Sequence, residues 1–340
     1  MNGKHEPRKV TLELVAAEAG VSPSTVSRVL NQSAGVSLAK QRRVNEVIDK
    51  YGFKPNLLAR SLAGGKTMSV GVLTQFIDSP FYAEALKGIE DLLLAHGYVP
   101  IFVSGHMDAA EEADKIDVLI QRKIDGLLVL SSTQSDDQLQ ALAKKLPVVV
   151  TGREVGGANI KSIDFDHYES GRLAANFLYS QGHRAVAVIT GPRTAADASS
   201  RLRGILDEMT RVGQEVDGDS IVEGDFQEFG GFQAMEELLR RDLRFTAVIA
   251  CNDQMAYGAN LALFRSGFRV PDDVSLIGFD NLKHSAFTLP PLTTVSQSSY
   301  QIGTVAAESL LELITDKLIP EKTELQVRVV VRESTRSLRS

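Results

Sequence analysis

Polar and aromatic side chains gather where this 340-residue chain punctuates its short apolar runs. Asp78-Ser79-Pro80-Phe81-Tyr82, Arg153, Arg201, Asp225-Phe226, Asn252-Asp253, Asp280-Asn281 and Gln297 lie at or near the ends of predicted strands. Carboxylates, amides and guanidinium groups beside aromatic faces suit a small polyhydroxylated ligand, held by bidentate hydrogen bonds and stacking. One such residue means little, because an aspartate after a strand is commonly a helix cap; the cluster carries the reading. Paired carboxylates would also serve a hydrolase, but no nucleophile and no acid of raised pKa is nominated. A Walker loop, a dinucleotide fingerprint, HExxH and a nucleophile elbow are all absent, and Gly152, Gly156 and Gly157 read as a turn. The histidines His5, His96, His106, His167, His183 and His284 are scattered without ligand spacing. Surface or capping roles are expected for them, with no metal and no cofactor.

A second chemistry sits in Val10–Asn31, VTLELVAAEAGVSPSTVSRVLN. Leu12, Val15, Ala16 and Ala19 repeat at helical spacing, with Thr11 placed to cap and Gly20 placed to terminate. Ser22 and Pro23 then open a second helix. Its Val26, Val29 and Leu30 turn inward, while Pro23, Ser24, Ser27, Arg28 and Asn31 face out. That outward set is short, polar and donor-rich, as the DNA major groove requires of an inserted helix. An ordinary helical hairpin with a solvated face has the same pattern.

Further along, Ser37 is placed to cap a third helix to about Tyr51, with Lys40, Arg42 and Arg43 exposed. Asn56 can cap a short helix through Leu62 before Gly64-Gly65; from composition this stretch is a linker, or a hinge that folds on a partner. From Ser69 strands and helices alternate. SVGVL, VPIFV, DGLLVL and PVVVT form one series, AVAVIT, SIVEG, TAVIAC and VSLIGF a second. Two such series predict two doubly wound parallel-sheet subdomains with ligand sites at the strand carboxyl ends. The tail, with LTTVSQ, a helix around Tyr300–Thr315 and VRVVVRE, is expected to complete both sheets.

Charge separates the two chemistries. Residues 1–66 hold 11 lysines and arginines against 5 carboxylates, a net of +6, and the remainder holds 26 against 38, a net of −12. A basic head on an acidic body implies that only the head meets a polyanion. The single cysteine, Cys251, lies in an apolar run, which excludes an internal disulfide and implies a reducing compartment. MNGKHEPRK has no apolar core for a signal peptide and no later run is long enough to span a bilayer, so a cytoplasmic protein is expected.

These motifs together resemble the LacI/GalR family of bacterial transcription repressors. The stretch from Val10 to Asn31, Val36–Ser37 and GFKPNLLARSLAGGKT resemble its DNA-binding head and hinge. SPFYAEALKGIE, KIDGLLVL, GHRAVAVITGP, SRLRG, EGDF, CNDQMAYGA, RVPDDVSLIGFDN and PPLTTVSQ follow in family order, to about Glu333. The resemblance implies an all-α helix–turn–helix head (1–54), a hinge (55–66) and a periplasmic-binding-protein-like α/β body (67–340). The N-subdomain is expected at about 67–164 and 295–325, the C-subdomain at about 165–294 and 326–335. It implies that Pro23 and Ser24 read bases, with Ser22, Thr25, Ser27, Arg28 and Asn31 on bases or phosphate. Thr11, Asn56 and Ala63 complete the DNA-contacting set, and Leu62 is the wedge in the minor groove. Pro23 offers no donor, which shifts readout toward Ser24 and Arg28. Effector-contacting positions fall at Phe81, Arg153, Arg201, Phe226, Asn252, Asp280 and Gln297. The tail to Ser340 lacks the leucine heptads that build tetramers in some relatives. The expectation is therefore a homodimeric repressor, not an enzyme, on a pseudo-palindromic operator. A sugar is its expected effector; a nucleobase is the alternative, because Phe81 and Phe226 can sandwich a planar ring. A sugar-processing enzyme is the remote reading.

Overall fold

The computed structural model describes residues 10–30, 35–53, 66–318 and 325–338, and the chain divides into two units, Met1–Thr67 and Met68–Ser340. In the first, α1 (Leu12–Glu18) begins where Thr11, extended at φ −111° and ψ 163°, accepts the Leu14 N–H. It ends at Gly20, φ +64°, with Gly20 N–H on the Ala17 carbonyl (3.2 Å) and Val21 N–H on Ala16 (3.0 Å). Those paired bonds satisfy carbonyls that the helix leaves open, and the left-handed position favours glycine. The Ser22 hydroxyl accepts the Thr25 N–H at 3.3 Å, and Pro23 takes the first position of α2 (Pro23–Leu30). α3 (Leu38–Tyr51) departs from expectation at its start: Ser37 has cap geometry but its side chain makes no capping bond. Val15, Ala16, Ala19, Val26 and Val44 form the buried core, walled by Leu12, Val29, Leu30, Val47, Ile48 and Phe53. So small a core makes a marginal unit.

The second unit contains two sheets wound alike. β1 (Ser69–Thr74), β2 (Val99–Ser104), β3 (Gly126–Leu130), β4 (Val148–Thr151) and β5 (Ile160–Ile163) form a parallel sheet in the order β2-β1-β3-β4-β5. β6 (Val186–Thr190), β7 (Ile221–Glu223), β8 (Ala247–Ala250), β9 (Ser275–Asp280), β10 (Thr293–Gln297) and β11 (Val327–Val330) form the other, in the order β11-β10-β9-β8-β6-β7. Only β11 runs antiparallel, against β10. In both sheets the order reverses beside the first strand, which opens a crevice at the carboxyl ends. The central strands are buried on both faces, as helix-covered parallel strands must be.

Around the first sheet lie α4 (Pro80–Ala95), α5 (Ala109–Gln121) and α6 (Asp136–Ala143); around the second lie α7 (His167–Ser180), α8 (Ala196–Arg211), α9 (Glu228–Arg240) and α10 (Asp253–Arg265). The tail differs from expectation. β10 and β11 both join the second sheet, so residues 295–297, assigned above with the N-subdomain, are the end of a C-terminal strand. α11 (Ser299–Thr315) instead covers the first sheet, its Ile302, Ala306, Ala307, Leu310 and Leu311 packing with Val70, Val72, Leu128, Leu130 and Val149. β5 was also unanticipated; its IKSI run carries a lysine and only Ile160 is fully buried. No described helix is long and apolar enough to cross a membrane.

Candidate DNA-reading face and effector cleft

On the first unit, Ser22, Pro23, Ser24 and Arg28 are exposed and Thr25 and Ser27 half-buried, along one side of α2. The Ser22 hydroxyl bonds to those of Ser24 (2.8 Å) and Thr25 (2.9 Å), so α2 begins with a linked row of hydroxyls. Thr11 is exposed at the start of α1, and Lys40, Arg42 and Arg43 are exposed on α3. Such groups can hold phosphates while α2 reads base edges. Asn31, Asn56, Leu62 and Ala63, and with them the expected hinge helix, lie outside the described residues.

On the second unit the structure brings Arg201, Asp280 and Gln297 together, and Asn252 together with Phe226. Arg201, on α8, is 3% exposed. Its guanidinium donates to the Cys251 carbonyl and to Gln297 Oε1 (2.8 Å), and lies 3.6 Å from Asp280 Oδ1. Asp280 and Asn281 turn sharply at φ 99° and 56°, which aims the Asp280 carboxylate inward from the end of β9. Burial pushes its pKa up to about 6; Arg201 pulls it down and Asp197 opposes that pull. Phe226, at φ 67°, lays its ring over Gly191, where a Cβ would sit 2.2 Å from the ring, so only glycine admits that approach. Asn252 is committed locally: its Oδ1 caps α10 on the Met255 N–H, and its Nδ2 donates to the Phe226 carbonyl, both at 2.8 Å.

The first sheet contributes the opposite wall. Tyr82 bonds to Ser131, and burial drives its pKa up to about 12. Phe81 meets Tyr82 edge-on at 5.4 Å between centroids, and no ring contact joins it to Phe226 among the described residues. Arg153 stands apart from Arg201, donating to the Gln134 carbonyl and lying 3.7 Å from Asp136. Thr74 Oγ1, Arg153 Nε, Arg201 Nε and Asp280 Oδ1 are the buried side-chain atoms without a hydrogen bond among the described residues. Buried polar atoms are ordinarily paired, so the two that fall in the Arg201–Asp280 pair mark where a ligand's own donors and acceptors fit.

Asp197 and His167 are cleft residues that the sequence alone did not single out. Asp197 lies four residues before Arg201, a spacing that puts both on one face of α8. Two histidines are not at the surface. His183 is fully buried between Thr246 Oγ1 (2.8 Å) and the Arg336 carbonyl (3.1 Å), with its pKa lowered by burial. His167 touches Asp164, Arg201 and Gln297. Asp253, beside Asn252, is a buried carboxylate satisfied by the Leu282 N–H and the Ser285 and Thr294 hydroxyls; burial, and then Asp280, raise its pKa to about 7. Cys251 is buried and its thiol is pushed up to about 12, which makes it inert.

A helix–turn–helix unit and a two-sheet body with a polar cleft define a class of ligand-controlled DNA-binding regulators. Residues 11–56 match the family described as bacterial regulatory proteins, lacI family, and residues 67–336 match periplasmic binding proteins and sugar binding domain of LacI family. The HTH-type transcriptional repressor PurR of Pasteurella multocida (strain Pm70) is 33% identical over 330 residues, 96% of this chain and 99% of that protein. The lac repressor dimer bound to operator and the anti-inducer ONPF is similar with a TM-score of 0.85 at 28% identity, covering 97% of this chain and 100% of that one. The CelR–cellobiose complex has a TM-score of 0.71 at 33% identity, covering 96% and 100%. The chain belongs to the LacI family of bacterial regulatory proteins. It is a DNA-binding transcriptional repressor controlled by a small-molecule effector, and not an enzyme.

Proposed function

We propose that the repressor binds a pseudo-palindromic operator as a homodimer and that its effector is a nucleobase. The observation that carries the effector reading is the buried Arg201–Asp280 pair. Its members lie 3.6 Å apart at Arg201 Nη2 and Asp280 Oδ1, and Arg201 Nε and Asp280 Oδ1 have no hydrogen bond among the described residues. A lactam edge, with C=O next to N–H, complements that donor–acceptor pair, and an aromatic ring suits a planar base. The PurR relatives favour this reading over the sugar first expected. The sugar remains the second reading, favoured by Asp197 as a further carboxylate acceptor and by the similarity to a cellobiose complex.

Dimerisation is supported by one apolar face. Phe264 on α10 is 75% exposed, Phe287 72% and Leu289 89%, and Asn260 Nδ2 ties the Leu289 carbonyl to α10 at 3.0 Å. Exposed apolar area of this kind marks association surfaces. One helix–turn–helix per protomer then matches one half-site.

The test is a thermal-shift screen of hypoxanthine, guanine, ribose and cellobiose, followed by operator binding with each ligand that shifts the melting temperature. A nucleobase that raises the melting temperature and tightens operator binding as a corepressor is the expected result. A sugar that shifts it and releases operator would replace this reading with the second.

A further inference from the structure

His167 is the first residue of α7 and follows directly on the crossover from the first sheet to the second. Its side chain is only 11% exposed. Each ring nitrogen has partners of one kind. Nε2 lies 3.0 Å from Asp164 Oδ1, a carboxylate that can only accept. Nδ1 lies 3.4 Å from both Arg201 Nη2 and Gln297 Nε2, which can only donate. One protonation state satisfies all three contacts: Nε2 carries the proton and Nδ1 is bare. The Gln297 amide is oriented consistently, its Oε1 accepting from Arg201 and its Nε2 donating to Ser170 Oγ.

Two of the chain's crossings between the sheets meet at this ring. Asp164 belongs to the outgoing crossing, after β5, and Gln297 is the last residue of β10, one residue before the chain passes to α11 on the first sheet. Arg201 is the guanidinium that faces Asp280 in the cleft.

We propose that His167 is a positioning residue of the effector cleft, whose Nε2–H tautomer ties the Asp164 crossing to the Arg201–Gln297 pair. In this arrangement Nδ1 fixes the fork of Arg201 so that its Nε remains directed to the ligand. Any rotation of one sheet against the other changes the Asp164–His167 contact and is felt at Arg201. The inference rests on the effector reading only in its consequence for binding; the tautomer stands on geometry alone. The charged groups around the ring are Asp164, Arg201, Asp280 and, beyond Arg201, Asp197.

Two measurements on the full-length protein test it. In the first, long-range nitrogen–proton NMR of 15N-histidine protein identifies the ring by the signals lost in His167→Asn. A protonated Nε2 with bare Nδ1 at neutral pH is expected; a protonated Nδ1 overturns the assignment. In the second, calorimetry with hypoxanthine, ribose and cellobiose compares wild type with His167→Asn, His167→Gln and Asp164→Asn. Asparagine can place its oxygen where Nδ1 accepts, so His167→Asn should bind the active probe within about threefold of wild type. Glutamine reaches toward Asp164 and not Arg201, so His167→Gln should lose about tenfold, as for one hydrogen bond to a charged group. Asp164→Asn should fall between them, all three with wild-type melting temperatures. Equal losses in the asparagine and glutamine variants, or losses that track melting temperature, reduce His167 to a packing role. If none of the probes binds wild type, the effector reading fails, while the NMR result still decides the tautomer.

Discussion

The two sheets share one strand order, yet they face the cleft with different chemistry. The second sheet presents Arg201, Asp280, Gln297 and Phe226, with an ion pair whose hydrogen bonding is incomplete. On the first sheet the buried carboxylate, Glu112, is saturated: it accepts from Gln75 Nε2, from the Thr133 N–H and hydroxyl, and from Ser132. Gln134 in turn reaches the Ala109 carbonyl and receives Arg153. The contrast separates two uses of buried polarity. One wall leaves an ion pair incompletely bonded for a ligand. In the other the Glu112 carboxylate is spent on holding its own loops, and only a buried hydroxyl, Thr74 Oγ1, and Arg153 Nε lack a hydrogen bond among the described residues.

The largest expected effect is on the second wall. Arg201→Ala leaves Asp280 buried without its partner; loss of one member of such a pair costs roughly 3–5 kcal/mol. Effector affinity by calorimetry should fall at least about a hundredfold, and a loss below tenfold would break the asymmetry.

Asp280 gives the next effect, through pH. Its folded pKa, about 6, lies above the 3.8 of an ordinary aspartate, so between these limits the folded state holds a proton that the unfolded state has lost. The contribution of Asp280 to stability is therefore lost as pH rises from about 4 to about 7, by on the order of 3 kcal/mol at most. Asp280→Asn removes that titration, and its melting temperature should gain on wild type across the same range. Parallel curves for the two proteins would remove the premise.

On the first wall, Glu112→Ala should separate stability from binding. It strands the donors of Gln75, Ser132 and Thr133, at about 1–3 kcal/mol for such unsatisfied groups. Denaturant unfolding should record that loss, with effector affinity little changed. Last, Arg153→Ala should weaken binding by no more than about threefold, since its guanidinium is partly exposed and already partnered within its own wall. A loss equal to that of Arg201→Ala would make the walls equal partners.

Much of this organisation was legible because periodicity reports burial. SVGVL and DGLLVL became central strands, and Thr11, Gly20 and Ser22 bounded α1 and α2 as their chemistry dictates. What was not legible depended on partners distant in sequence. LTTVSQ and VRVVVRE look alike as strands, and nothing local assigns both to one sheet. IKSI was passed over because an edge strand with a lysine lacks the apolar run of its neighbours. The expectation of surface or capping roles for His167 and His183 fails because a histidine's partners, here Arg201, Gln297, Thr246 and Arg336, are up to 153 positions away.

The placement of the tail has a consequence for synthesis. A nascent chain emerges amino end first, and domains ordinarily fold as they appear. Here one face of the first sheet is covered by α4 alone until α11, residues 299–315, has left the ribosome, and the second lacks β10 and β11 until residue 330. Neither half can close early on its own. For most of translation the body is an incomplete layer in which Val70, Val72, Leu128 and Val149 lack the cover of Ile302, Ala306, Ala307, Leu310 and Leu311. That interval, and not the finished protein, is where chaperone dependence should concentrate.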